Sequence, residues 1–279
     1  MTKREFLAAS LGVAATALSR ARADDNVRVR RAKTTKLFKA PEGLPNAISV
    51  TPEGLWIGEQ AKRYGLPQPK TLDEAAWLVD WNGKLLKTVT TPSRNTSGMA
   101  VGGGYVWMIA NAPPQGVFQV DMNSKLVSHR QIPLGAPGGD GGGSHGGLWH
   151  DGKLWLSSLR LRGNLRVDPK TFEPEYMIPF HYSYPDWVRY HGIAIEGDSM
   201  WQVIGNKSTS PEDFKSGLAR YDLDTGRLVE IVEFLPGSSD PHGLAIHDGQ
   251  LLGCDAGIHP GWDNYASKTA GWIFQIDFV

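Results

Sequence analysis

The chain has 279 residues, 41% of them hydrophobic, with 29 basic and 29 acidic side chains and one cysteine. That length holds one large core or two small ones. Zero formal net charge and the lack of a basic run exclude a nucleic-acid tract, and a lone Cys254 excludes an intrachain disulfide. The 33 glycines and 10 tryptophans suit a β protein with many tight turns.

Residues 1–23 read as an export signal. Lys3-Arg4 supplies the positive start, Phe6 to Leu18 is largely apolar, and Ala21-Arg22-Ala23 is an A-x-A cleavage site. The opening Thr2-Lys-Arg-Glu-Phe-Leu7 resembles a twin-arginine signal, with Lys3 standing where the first arginine belongs. The apolar run is too short to span a bilayer permanently. The expected product is a soluble periplasmic or secreted monomer with no membrane partner after cleavage. Residues 24–32 would form a linker and 33–279 the folded domain.

From about Lys33 one unit recurs five times. Its first strand opens at Asn46, Ser97, His145, His191 and His242, positions 51, 48, 46 and 51 residues apart. His242-Gly-Leu-Ala-Ile-His and His191-Gly-Ile-Ala-Ile-Glu are two of these strands. A second strand follows a Gly or Asp turn and centres on Trp56, Trp107, Trp155 and Trp201, with Leu251-Leu252 in the fifth copy. The third ends in Asp80, Asp121, Asp168, Asp222 and Asp277. Turn residues follow, so the carboxylate is placed to bond backbone and close a hairpin. The fourth ends in Pro92, Pro133, Pro179 and Pro236. Alternating apolar and polar residues within these pieces argue for strands.

The fifth copy stops after its third strand, at Val279. Lys33-Thr-Thr-Lys-Leu-Phe-Lys-Ala-Pro41 has the length and terminal proline of the missing fourth. Pairing it with the C-terminal strand would remove the open edges. The expected fold is all-β, a five-bladed β-propeller closed by its own termini.

In such a ring the first strands line the central channel, and one side chain per blade stands at its mouth. Three consecutive blades offer His145, His191 and His242. Neutral imidazoles converging from neighbouring blades make a three-nitrogen site for a divalent metal ion with a position left open. A purely structural blade entrance, with each imidazole bonded to nearby backbone, would show the same pattern. The loops on this face offer Arg160 and Arg189 for an anion, and Trp187 and Trp262 to stack on a ring. Glu59 is a candidate ligand or general base. The turn residues His150 and His247 belong to the opposite face and read as surface residues. Cys254 reads as a buried strand residue.

The His-Gly-x-Ala, Gly-x-Leu-Trp and x-x-Val-Asp strands resemble the bacterial propellers of the virginiamycin B lyase, NHL and SMP-30 group. The resemblance covers about residues 33–279, and its motifs are blade motifs shared by many functions. It implies metal-assisted elimination on a small-molecule substrate, with His145, His191 and His242 holding the metal. The base would be Tyr190, His259 or Glu59. Five-bladed secreted propellers also include glycosidases and glutaminyl cyclases. The chain matches no cyclase motif and has no well-placed carboxylate pair for glycoside hydrolysis. Two functions remain: a periplasmic metal-dependent lyase or hydrolase for a small anionic or carbohydrate-like substrate, or a non-catalytic binding propeller.

Overall fold

The computed structural model describes residues 27–60, 73–111, 113–134, 143–181, 184, 186–208, 210, 212–256 and 271–279. The expected export signal lies outside them. The described residues form twenty strands and no helix. An N-terminal strand, β1 (Arg28–Lys39), is followed by β2 (Pro45–Thr51), β3 (Gly54–Glu59), β4 (Glu74–Val79) and β5 (Leu85–Thr91). The second unit is β6 (Thr96–Gly102), β7 (Tyr105–Ala110), β8 (Gly116–Asp121) and β9 (Leu126–Arg130). The third is β10 (Ser144–His150), β11 (Lys153–Ser158), β12 (Gly163–Val167) and β13 (Pro174–Pro179). The fourth is β14 (Arg189–Glu196), β15 (Ser199–Gly205), β16 (Ser216–Asp222) and β17 (Leu228–Phe234). The last strands are β18 (Pro241–His247), β19 (Gln250–Asp255) and β20 (Trp272–Phe278).

The first three units are separate four-stranded antiparallel sheets. The rest form one eight-stranded sheet, in the order β14-β15-β16-β17-β1-β20-β19-β18. Innermost strands β2, β6, β10, β14 and β18 each touch the next, and β18 returns to β2. The architecture is therefore propeller-like.

Each unit begins a turn the sequence announces. Asp80 Oδ1 accepts from the amides of Asn82 and Lys84, both at 2.9 Å. Asp121 does the same for Asn123 and Lys125, and Asp222 for Thr225. These bonds hold the half-buried Asp121 and Asp222 carboxyls below their ordinary range; for Asp222 the Thr225 hydroxyl is the largest influence.

Apolar seams join the units. Trp56 packs between the first and second, Trp107 between the second and third, Trp155 between the third and fourth, and Trp201 between the fourth and fifth. Leu252, at the matching position, packs between the fifth unit and the first. The second-strand residue thus fills the seam toward the next unit each time. Truncating such a ring to alanine typically costs about 3–5 kcal/mol.

The N-terminal strand does pair with the C-terminal one, with Lys33 opposite Asp277 and Lys39 opposite Trp272. It also starts five residues before the expected Lys33. Arg28 to Ala32 pair in parallel with Glu230 to Phe234 of β17. The added pairing rests on Glu230, a fully buried carboxylate that meets Arg30, Arg220 and Arg28. Three guanidinium groups compensate the desolvation of one buried charge.

Candidate functional site

The motif residue of every unit sits at an irregularity. The register between first and second strand slips at Pro45/Ala47, Thr96/Gly98, Ser144/Gly147, Tyr190/Ile193 and Pro241/Gly243. A bulge adds a residue to one strand and re-aims its side chain. Here it sets Asn46, Ser97, His145, His191 and His242 at one end of the innermost strands.

The bulges also explain the glycine that follows. A Cβ on Gly98 would lie 2.7 Å from the Gly146 carbonyl carbon, and one on Gly146 would lie 2.6 Å from the His191 oxygen. On Gly192 it would lie 2.5 Å from Leu244 N, and on Gly243 2.7 Å from Ile48 N. Neighbouring inner strands thus touch backbone to backbone, forming a floor beneath the three histidines. His-Gly couples a side chain for the mouth with a contact that only glycine fits.

The ring centroids of His145 and His191 lie 4.7 Å apart and those of His191 and His242 4.6 Å apart. His191 and His242 are buried, and His145 keeps some solvent contact. Asn111 Nδ2 lies 2.7 Å from His145 Nε2. His242 Nδ1 faces Asp240 twice, at 3.4 Å from its carbonyl oxygen and 3.6 Å from its carboxylate. Asp240 is itself buried and accepts from Arg189 Nη2 at 2.5 Å. Burial, then the neighbouring His242 and Arg189, push the His145 pKa down to about 3. Its imidazole is therefore neutral near pH 7, the form that binds metals.

Amides and hydroxyls complete the rim. Asn46 Nδ2 donates to Gln60 Oε1 at 2.8 Å and to the Thr96 carbonyl at 2.9 Å. Gln60 reaches Asn95. Ser157 Oγ donates to Asn164 Oδ1, and Asn164 Nδ2 to Gln202 Oε1. These are buried groups, and each contact offsets a desolvation penalty.

The other sequence-derived candidates are placed as follows. Tyr190 is buried, stacked on Phe180 at 4.0 Å, with its hydroxyl donating to the His181 carbonyl. Trp187 is buried beside Tyr184, with ring centroids 4.8 Å apart. Glu59 Oε2 accepts from the Ala75 amide at 3.0 Å. Arg160 is exposed. Arg189 lies over the Phe214 ring, 4.6 Å from its centroid, while it holds Asp240. His259 and Trp262 lie outside the described residues. On the far face His247 stacks on Trp81 at 3.6 Å, tying the fifth unit to the first.

Asp240 was not singled out by the sequence, yet a signal was there. Arg189 and Asp240 each stand two residues before the motif histidine of adjacent units. Opposite charges at matching repeat positions are placed to pair across a seam.

The sequence matches no family profile and no curated protein. Among solved structures, a glutaminyl cyclase from Myxococcus xanthus superposes with a TM-score of 0.56 at 10% identity. The match covers 91% of this chain and all of that one. Hydrazine synthase from Kuenenia stuttgartiensis gives a TM-score of 0.48 at 13% identity, covering 87% of this chain and 64% of that one. The first similarity supports the propeller-like fold. It does not carry the virginiamycin B lyase, NHL or SMP-30 assignment.

Proposed function

We propose that the chain is a five-bladed β-propeller, periplasmic and monomeric, that binds a divalent metal ion through His145, His191 and His242. It would use that site for lyase or hydrolase chemistry on a small anionic or carbohydrate-like molecule. The supporting observation is the contact of three imidazoles from consecutive units, one of them held neutral by burial. The Myxococcus cyclase is an enzyme of similar fold, which is compatible with a catalytic use of this one.

The donor chemistry suits a divalent ion. Among the described residues no three His, Cys, Asp or Glu side chains already converge on one point, so binding requires the rings to turn. Asp240 faces His242 Nδ1 and would fix the orientation of that ring. At His145, turning the Asn111 amide over would let its oxygen accept the Nε2 proton and leave Nδ1 its lone pair. A bound ion would polarise a carbonyl or carboxylate oxygen of the substrate. Arg189, anchored by Asp240, would hold positive charge beside the mouth.

The test is the metal content of the purified protein beside His191→Ala, measured by elemental mass spectrometry. Near-stoichiometric metal that disappears in the variant is the expected result. Absence of metal from both, even after soaking in divalent salts, would overturn the proposal and leave a binding propeller as the better account.

A further inference from the structure

A cleft of about 590 Å³ opens between the rims of the fourth and fifth units, on the face that carries the histidines. Its size lies in the range of small-ligand sites, about 300–1,000 Å³. Among the described residues no histidine lines it. Trp187 and Phe214 give aromatic walls, Glu212, Glu233 and Asp255 give carboxylates, and Lys36 and Lys215 give ammonium groups. Tyr184 donates its hydroxyl to Glu233 Oε1 at 2.8 Å, which fixes that carboxylate.

We propose that this cleft binds a neutral mono- or disaccharide. A net cation or anion would meet like charge as well as opposite charge among these walls. A polyol avoids that conflict, because its hydroxyls donate to carboxylates and accept from ammonium groups. The apolar C–H face of a sugar ring suits the flat walls of Trp187 and Phe214. A run of contacts links the cleft to the channel mouth: Arg189 lies over Phe214, bonds Asp240, and Asp240 faces His242. The inference goes beyond the metal reading and stands without it.

The test is saturation-transfer NMR on the full chain at millimolar ligand, with a panel of free mono- and disaccharides. Glycine betaine and glutamate serve as charged controls. A saccharide is expected to give signal in the parent protein and in His191→Ala. Phe214→Ala should weaken its binding roughly three- to tenfold. Lys215→Met, at an exposed position where folding is not at stake, should weaken it as well. The proposal is overturned if no saccharide binds, if a charged control binds with the same dependence on Phe214, or if binding follows His191 and ignores both cleft variants. Absence of metal from the parent protein with saccharide binding intact would sink the metal site alone.

Discussion

Gly192→Ala tests the backbone floor beneath the histidines. The added methyl would face Leu244 N at 2.5 Å, His242 O at 2.7 Å and the Gly243 carbonyl carbon at 2.8 Å. Ordinary contact begins at 3.4 Å, so the shortest approach is about 0.9 Å too close. All three neighbours are backbone of β18, and no side-chain rotation relieves them. Strands β14 and β18 must separate where they are most tightly joined. Overpacking of this kind costs about 1–3 kcal/mol, and three backbone clashes place the variant near the top of that range. For a domain of this size that is a fall in Tm of roughly 6–12 °C. The assay is thermal unfolding followed by near-ultraviolet circular dichroism. Gly197→Ala is the reference, because a Cβ there meets open space and only the positive φ of 53° opposes it. If Gly192→Ala unfolds no earlier than Gly197→Ala, close strand approach is not why glycine follows the motif residue.

In metal-stripped protein, the depressed pKa of His145 ties stability to pH. The unfolded chain takes up a proton near 6.5, whereas the folded state resists until about 3. Stability present above pH 6.5 is therefore lost as pH falls toward 3, by about 2 kcal/mol between roughly pH 7 and pH 5. Denaturant titrations at both pH values should show this loss, and His145→Asn should flatten it; an unchanged slope refutes the assignment. Glu230→Gln should destabilise by about 3 kcal/mol, the low end for breaking a buried ion pair, because its arginines retain solvent contact. A guanidinium midpoint giving a change within about 0.5 kcal/mol would show that the clasp carries no net stability. Burial pushes the Cys254 thiol up, against the opposing bond from the Gly243 amide. An aromatic disulfide reagent should find no reactive thiol in the native protein and one after denaturation.

The repeating parts of this molecule were legible because local chemistry repeats with them. Strand alternation and the Asp turns depend on neighbours in their own unit, and each seam tryptophan meets matching positions of the next, so a periodic sequence reports them. Closure by the N-terminal strand was legible because a fourth strand was missing at one end of the chain and present at the other. Three histidines in one register foretold their meeting. What stayed hidden depends on contacts that do not recur from unit to unit. Tyr190 follows Arg189 at the start of β14, after a stretch rich in aromatics, and nothing local shows that its ring goes into the core against Phe180. Glu59 reads as a free acid until the Ala75 amide is found beside it. The cleft brings Lys36, Phe214 and Asp255 together from non-equivalent parts of two units, which no repeat encodes.

Strand β1 lies between β17 and β20, and Thr35 meets Asp277 across 242 positions of sequence. Strand β1 thus waits for β20. Until β20 exists, the ring has two open ends whose unpaired amides and carbonyls invite pairing with other chains. Loops of such length close slowly. Refolding should therefore form individual sheets quickly and join the ends last, leaving an open, association-prone intermediate that disappears only when the two termini find each other.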